Sequence, residues 1–478
     1  MSLKQLDIET LELSQIHRDD LPAQWKWTQL GEICKTTSGG TPSRKYDEYF
    51  KGNIPWVKSG ELPDGPVNEV EEYITNEAIK NSSAKVFPEG TLLIALYGAT
   101  VGKLGILNRD AATNQAVCAI FPNEDLCVKY LFWYLRFVRS DLVAQAIGGA
   151  QPNISQGILR TLPIPIAPFD QQKRIVAEVE KQLSRLDEAV ANLRRVKANL
   201  KRYKAAILKA AVEGHLVETE AELARREDRS YKTGAQLLQS ILETRIRQWK
   251  GNGKDKEPAT ADKINLKELP EGWVWATVSQ LLVEPIVNGL SIKESAFSTE
   301  VRALRLSAMS EKGFDYSDHR FLPTKLDHVA DIIIREGDVF VSRGNGSLHL
   351  VCRSTVAQSP PFDVIFPDTM MRLRLAEPIR VTAWFQTIWS GTAVRRQIER
   401  RVKTTAGIYK ISQPELAAIT IPLPPFAEQH RIVSEVERRL SILGEVEAQV
   451  VANLKRAASL RKSVLASAFN GSLSQLNK

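Results

Sequence analysis

Cysteine is scarce in this chain of 478 residues: Cys34, Cys118, Cys127 and Cys352, with no Cys-x-x-Cys pair. That excludes a disulfide framework and a cysteine-bound zinc, and a reducing cytoplasm is the expected location. The six histidines (His17, His215, His319, His328, His349, His430) show no His-x-x-x-His or related spacing, so no metal-ligand set is expected. Long apolar runs are missing as well. Met1 to Asp20 carries acidic residues and no continuous apolar stretch, and the most apolar later segment, Thr91 to Leu107, is interrupted by Lys103. Neither a secretion signal nor a membrane span is expected.

Charge is not one-sided either: 64 Lys+Arg against 56 Asp+Glu leave a formal +8, a weak pointer to a polyanionic partner. Residues 1–160 carry more acids than bases, whereas 161–216 and 421–478 are basic. A nucleic acid would therefore have to meet local basic loops or basic partner subunits, not a uniformly basic surface.

Motifs for catalysis fail on inspection. Tyr97-Gly98-Ala99-Thr100-Val101-Gly102-Lys103-Leu104 resembles a phosphate loop, but Tyr97 stands where the leading glycine is needed and Leu104 where the magnesium-binding hydroxyl is needed. Ser359-Pro360-Pro361-Phe362 matches the grip of amino-methyltransferases on a target nitrogen, with Gly344-Asn345-Gly346 as a cofactor loop. The segment from Gly344 to Ser359 is too short for the strand, glycine turn, helix and ribose-binding acid such a site needs. The chain reads as a non-enzyme.

What the sequence does contain is itself, twice. Leu21-Pro22 and Trp25-x-Trp27 return as Leu269-Pro270 and Trp273-x-Trp275. Pro168-Phe169, Arg174-Ile175-Val176 and Glu178-Val179-Glu180 return as Pro425-Phe426, Arg431-Ile432-Val433 and Glu435-Val436-Glu437, and the register then holds without a gap to Gly214 and Gly471. Each copy has a front part of short β-rich runs, Gly/Pro/Asn turns and some helix, and a back part opened by Leu162-Pro163-Ile164-Pro165 or Ile421-Pro422-Leu423-Pro424, whose prolines forbid helix until Phe169 and Phe426. The boundaries follow: 1–160 and 269–420 as front domains, 161–216 and 421–478 as long helices, 217–268 as a helical connector and linker.

Past the prolines the apolar period becomes seven. Val179, Leu186, Leu193, Leu200 and Ile207 recur in the first helix, and Val436, Leu443, Val450, Ala457 and Val464 in the second. The companion set three residues on is imperfect: Gln182, Ala189, Val196, Tyr203 and Ala210, then Arg439, Val446, Asn453, Leu460 and Ser467. Helices longer than ~40 residues, ~60 Å at 1.5 Å per residue, outrun a front domain, which favours packing of one on the other over two separate surface helices. The fold class is α+β, two pseudo-symmetric globular domains separated by two long helices.

The front domains hold polar, turn-forming strips suited to phosphate contact and base-edge hydrogen bonding. In the first copy these give Thr37, Ser38, Gly39, Thr41, Ser43, Lys58, Ser59, Tyr97, Lys103 and Asn114 as candidate contacts; in the second, Ser291, Lys293, Ser307, Arg343, Asn345 and Lys410. The framing residues repeat while the strips differ, as two readers of different short sequences should.

These residues resemble the specificity subunit of type I DNA restriction–modification systems. The resemblance rests on Thr37-Ser38-Gly39-Gly40-Thr41-Pro42, Ile54-Pro55-Trp56-Val57-Lys58-Ser59-Gly60, Tyr97 to Gly102, Asn114-Gln115-Ala116, Asn153-Ile154-Ser155, and Pro424-Pro425-Phe426-Ala427-Glu428-Gln429-His430-Arg431-Ile432-Val433. One departure, Asp170-Gln171-Gln172 against Ala427-Glu428-Gln429, is expected to alter a helix-start interaction. The resemblance implies a non-catalytic reader of double-stranded DNA whose front domains, as target-recognition domains, each take one half of a bipartite, asymmetric target. It implies that the two helices form an antiparallel coiled coil that spaces the halves. Two modification subunits would methylate adenine with S-adenosylmethionine, and restriction subunits would cleave with ATP and magnesium; no cofactor or metal is expected on this chain. The competing readings are a stand-alone bipartite DNA-binding protein and a methyltransferase using the Ser359 to Phe362 turn.

Overall fold

The computed structural model describes residues 21–145, 153–248, 258–261, 267–310, 313–376, 378–405 and 407–475. Residues 1–20 and most of the linker-like segment 250–263 lie outside the described residues. Contacts group the chain into two units. The first joins the residues up to Arg195 with those from Val450 onward, and the second runs from Val196 to Gln449.

In the first unit, a five-stranded sheet has the order Cys34–Ser38, Val117–Pro122, Leu92–Ala95, Leu104–Leu107, Gly65–Val67. A second sheet orders Tyr73–Ile74, Ile54–Val57, Ala111–Thr113 and Val86–Phe87, with the middle pair parallel. The proline strip does not idle as a linker: Pro163–Ile166 pairs antiparallel with Lys26–Gln29. Proline has no N–H to donate, so a two-stranded ribbon is where such a strand can sit. Its spare carbonyls are used, since Pro163 and Pro165 accept the hydroxyls of Tyr134 and Tyr130 from the helix Val128–Phe137.

The second unit repeats this plan. A four-stranded sheet (Val287–Asn288, Met370–Leu373, Val339–Ser342, Ser354–Val356) adjoins a three-stranded one (His319–Leu322, Val301–Leu304, Val364–Ile365), and Val274–Thr277 pairs with Thr420–Leu423. The charged stretch after residue 217 forms the helices Glu220–Arg226 and Gly234–Gln248; Leu238 and Ile241 are buried there, whereas Ile246 is 70% exposed. Where the first unit has Cys34, Thr91, Ala119 and Phe121, the second has Glu284, Asp338, Arg372 and Arg374, a buried ion network with Arg372 to Glu284 at 2.7 Å and Arg374 to Asp338 at 2.6 Å.

Two helices, α1 (Phe169–Val212) and α2 (Phe426–Phe469), each run 44 residues, ~66 Å at 1.5 Å per residue. In the first unit the beginning of α1 lies beside the end of α2, and Arg461 pairs with Asp187 across them. The end of α2 packs into the core there: Phe469 meets Tyr130, Tyr134 and Phe137 at ring separations of 5.2, 5.1 and 5.7 Å. In the second unit the end of α1 (Ile207, Ala211, Val212) shares a core with the beginning of α2 (Ile432, Val436).

Of the seven-spaced residues, Val179, Ile207, Val436, Val450 and Val464 are buried, and Leu186, Leu193, Leu200 and Leu443 are half-buried. The positions four residues on mix apolar residues with charged ones, Leu183 and Ala211 with Lys197 and Lys204, Leu440 and Ala468 with Glu447 and Arg461. Leu183, Ala211 and Ala468 are buried, while Val196, Tyr203, Val446 and Leu460 are 39 to 52% exposed. A heptad alternates steps of three and four, and here neither step keeps a buried apolar companion through mid-helix; the step of four supplies one only toward the helix ends.

The helix starts explain the one departure between copies. Trp25 Nε1 donates to Gln171 at 3.1 Å, and Trp273 Nε1 donates to Glu428 at 2.9 Å. Glu428 also accepts the Glu220 N–H, and its burial pushes the carboxyl above the usual range.

Candidate nucleic-acid interface

Four backbone hydrogen bonds gather separate loops at one end of the first unit's sheets. Gly39 N–H donates to Val117 O, Gly40 to Thr113 O, Leu96 to Ala116 O and Ile154 to Leu96 O, at 2.7 to 3.1 Å. The second unit makes the same four bonds: Gly289 to Met370, Leu290 to Phe366, Arg343 to Thr369 and Ile411 to Arg343. Residues are therefore equivalent by position in a hydrogen-bonded frame. Arg343 stands where the first unit has Leu96, and Lys410, paired with Gly344, stands where Asn153 pairs with Tyr97.

The frame brings together Thr41, Lys58, Ser59, Tyr97 and Asn114. Thr41 hydrogen-bonds Gln115 beside Asn114, whose N–H donates to Val57 O at 3.0 Å. Gly39 serves the frame itself: it is buried, and a β-carbon there would lie 2.1 Å from Thr113 Oγ1. Thr37 and Ser38 belong to the strand, accepting from Lys85 Nζ at 3.0 Å and Gln156 Nε2 at 2.7 Å. Ser43 is exposed beyond it. In the second unit Ser291, Lys293, Ser307 and Lys410 are exposed, and Arg343 and Asn345 are half-buried.

Tyr97 to Lys103 is the hairpin loop joining the antiparallel strands Leu92–Ala95 and Leu104–Leu107, with positive φ at Gly98 and Gly102 (+86° and +77°), so it is not a strand-to-helix phosphate cradle. Ser359 to Phe362 joins two strands, and Gly344–Asn345 is itself a short strand.

Electrostatics single out one further residue. Lys58 Nζ lies 2.7 Å from Glu71 and 3.1 Å from Glu72, and these carboxylates, Glu71 foremost, hold its pKa above the usual value. Arg44 shares Glu72 and stacks 4.1 Å from the Phe50 ring, and that sharing, Arg44 first, holds the Glu72 carboxyl below the usual range. The parallel strand pairs Trp56–Ala112 and Ala303–Ile365 make Arg305 the counterpart of Lys58. Arg305 lies 2.7 Å from Glu294 and 3.6 Å from Asp318. The sequence reading omitted it because the front parts align there only after a one-residue shift from the Trp25 and Trp273 register.

The stretch that holds the first loop cluster matches a known family: residues 22–202 fit the model of the type I restriction modification DNA specificity domain. Residues 22–202 thus carry a type I specificity domain, and the chain along most of its length is similar to type I specificity subunits. It is 23% identical over 465 residues to the type I restriction enzyme EcoKI specificity subunit of Escherichia coli K12, covering 95% of this chain and 90% of that one. Over 162 residues it is 32% identical to the EcoR124I/EcoR124II specificity subunit of Escherichia coli, 33% of this chain and 40% of that relative. A chain in a structure described as showing complex assembly and conformational transition of the type I R-M system shares the fold, with a TM-score of 0.61 at 18% identity over 94% of this chain and 98% of that one. The family model ends within α1. The second half of the chain is tied to the first by the shared frame, down to a left-handed Cys352 (φ +57°) where the first unit has Gly102.

Proposed function

We propose that this chain reads DNA sequence on behalf of a type I restriction–modification complex and leaves the chemistry to its partners. Each unit presents one loop cluster to one half of an asymmetric, bipartite target. The observation carrying this is the identity of the two backbone frames combined with the difference of their loops: Tyr97 against Gly344, Leu96 against Arg343, Asn153 against Lys410. A common frame docks both clusters alike, and different side chains select different bases.

On this reading α1 and α2 run antiparallel and fix the distance between the halves. Two modification subunits bind S-adenosylmethionine and methylate adenine; restriction subunits bind ATP and magnesium and cleave. Mapping methylated adenines in the host genome with and without the gene tests the proposal. The expected result is a motif of two specific parts with an unread spacer, absent from the deletion strain. Methylation by the purified chain alone would overturn it in favour of an enzyme, and sequence-specific binding by the chain without partners in favour of a stand-alone regulator.

A further inference from the structure

The repeated frame carries two pairs of equivalent cations, and their surroundings differ. Lys58 and Arg305 each precede a tight turn with nearly the same backbone (φ, ψ of −92°, 154° and −89°, 158°), and their carbonyls accept from Glu61 and Ala308 at 2.9 and 3.0 Å. Lys103 and Arg353 each follow the left-handed residue of a hairpin loop, and their carbonyls accept from Ala95 and Ser342 at 2.8 and 3.0 Å. The first pair is clamped: Lys58 by Glu71 and Glu72, Arg305 by Glu294 and Asp318. The second pair makes no ion pair with the described residues.

Building on the DNA-reading function above, we infer that Lys58 and Arg305 each donate to a base edge in their own half of the target, while Lys103 and Arg353 contact the phosphate backbone. A cation between two carboxylates sits in a locally negative field, which disfavours an approaching phosphate. Its side chain is already held, so a donor is available in fixed geometry for the acceptors of guanine, and the flanking carboxylates can accept an amino hydrogen of cytosine. An unpaired cation on a hairpin loop has the opposite properties. It follows phosphates on any sequence and gains from counterion release. One carboxylate of each clamp has a common place, since Glu72 and Asp318 each precede the strand that pairs with the one leading to the cation, whereas the other differs, Glu71 beside Glu72 against Glu294 in the loop before Val301–Leu304.

The test uses the complex assembled with its modification subunits, measuring Kd for the target and all its single base-pair variants over a range of salt. Lys58→Met should weaken binding roughly 5- to 150-fold and flatten discrimination at one position in one half, with the salt slope unchanged. Arg305→Met should do the same in the other half. Lys103→Met and Arg353→Met should weaken all sequences alike and lower the slope by about 0.9 each. Glu71→Gln with Glu72→Gln, which leaves Lys58 in place, should tighten non-specific binding and steepen the slope. The inference is overturned if Lys58→Met or Arg305→Met lowers the slope and weakens all sequences alike, or changes neither binding nor discrimination. Failure of the unmodified complex to discriminate any sequence would instead overturn the proposed function.

Discussion

A β-carbon on Gly214 would lie 2.4 Å from Cγ of Pro270, just as one on Gly471 would lie 2.2 Å from Cγ of Pro22. The glycine that closes each long helix thus abuts the Leu-Pro entry of the other copy. Both glycines are left-handed, with φ of +71° and +81°. Gly214→Ala and Gly471→Ala meet backbone strain and a clash together, and each should cost roughly 1–3 kcal/mol. Chemical denaturation of the single variants checks this.

Phe469 makes the corresponding prediction for the core. It belongs to the second copy in sequence but is fully buried among the aromatics of the first unit. Phe469→Ala should destabilise by about 3–5 kcal/mol. Proteolysis with fragment identification should locate the first opening in the first unit.

The buried network of the second unit should respond asymmetrically. Glu284 faces both Arg372 and Arg374, and Arg372 is 3% exposed at its side chain. Glu284→Ala leaves that guanidinium without its carboxylate, at a cost of about 3–5 kcal/mol, whereas replacing Glu284 and Arg372 together by apolar residues should cost less than the single change. Urea unfolding of the three proteins measures the difference.

Asp64 supplies a pH dependence. Burial alone would raise its carboxyl, but the Arg139 guanidinium and the Leu104 N–H outweigh burial and hold it below the usual value of 3.8. A depressed carboxyl adds stability that is complete above the unfolded value and disappears as pH falls through the folded one. Asp64→Asn keeps a residue tolerant of the positive φ (+61°) found there and loses the charge. It should cost roughly 1–3 kcal/mol at neutral pH and progressively less below pH 3.8, read from unfolding midpoints across that range.

The repeat, the long helices and their closing glycines were legible because each rests on local rules: prolines that block helix, an apolar period of seven, a glycine at a left-handed end. The partner of each helix end was not legible, since a seven-residue pattern is satisfied by either neighbour. The companion set is as imperfect in the structure as in the sequence: Val196, three residues on, is exposed, Lys197 and Lys204, four residues on, are charged, and a buried companion such as Leu183 occurs only toward the helix ends. Gly39 reads in the sequence as a candidate contact, whereas in the fold the close approach of Thr113 is what requires a glycine there. Arg305 went unseen because strand pairing, not sequence spacing, makes it the match of Lys58.

The central claim is that two different readers are held at a distance set by α1 and α2. Inserting four residues between Ala189 and Leu193 adds about one turn to α1, ~6 Å, and a coiled coil absorbs such a stutter by local unwinding. With base pairs ~3.4 Å apart, sites methylated by the variant complex should show the same two half-site sequences separated by one to two additional base pairs. Methylation at the original spacing, or a change in either half-site sequence, would contradict the account.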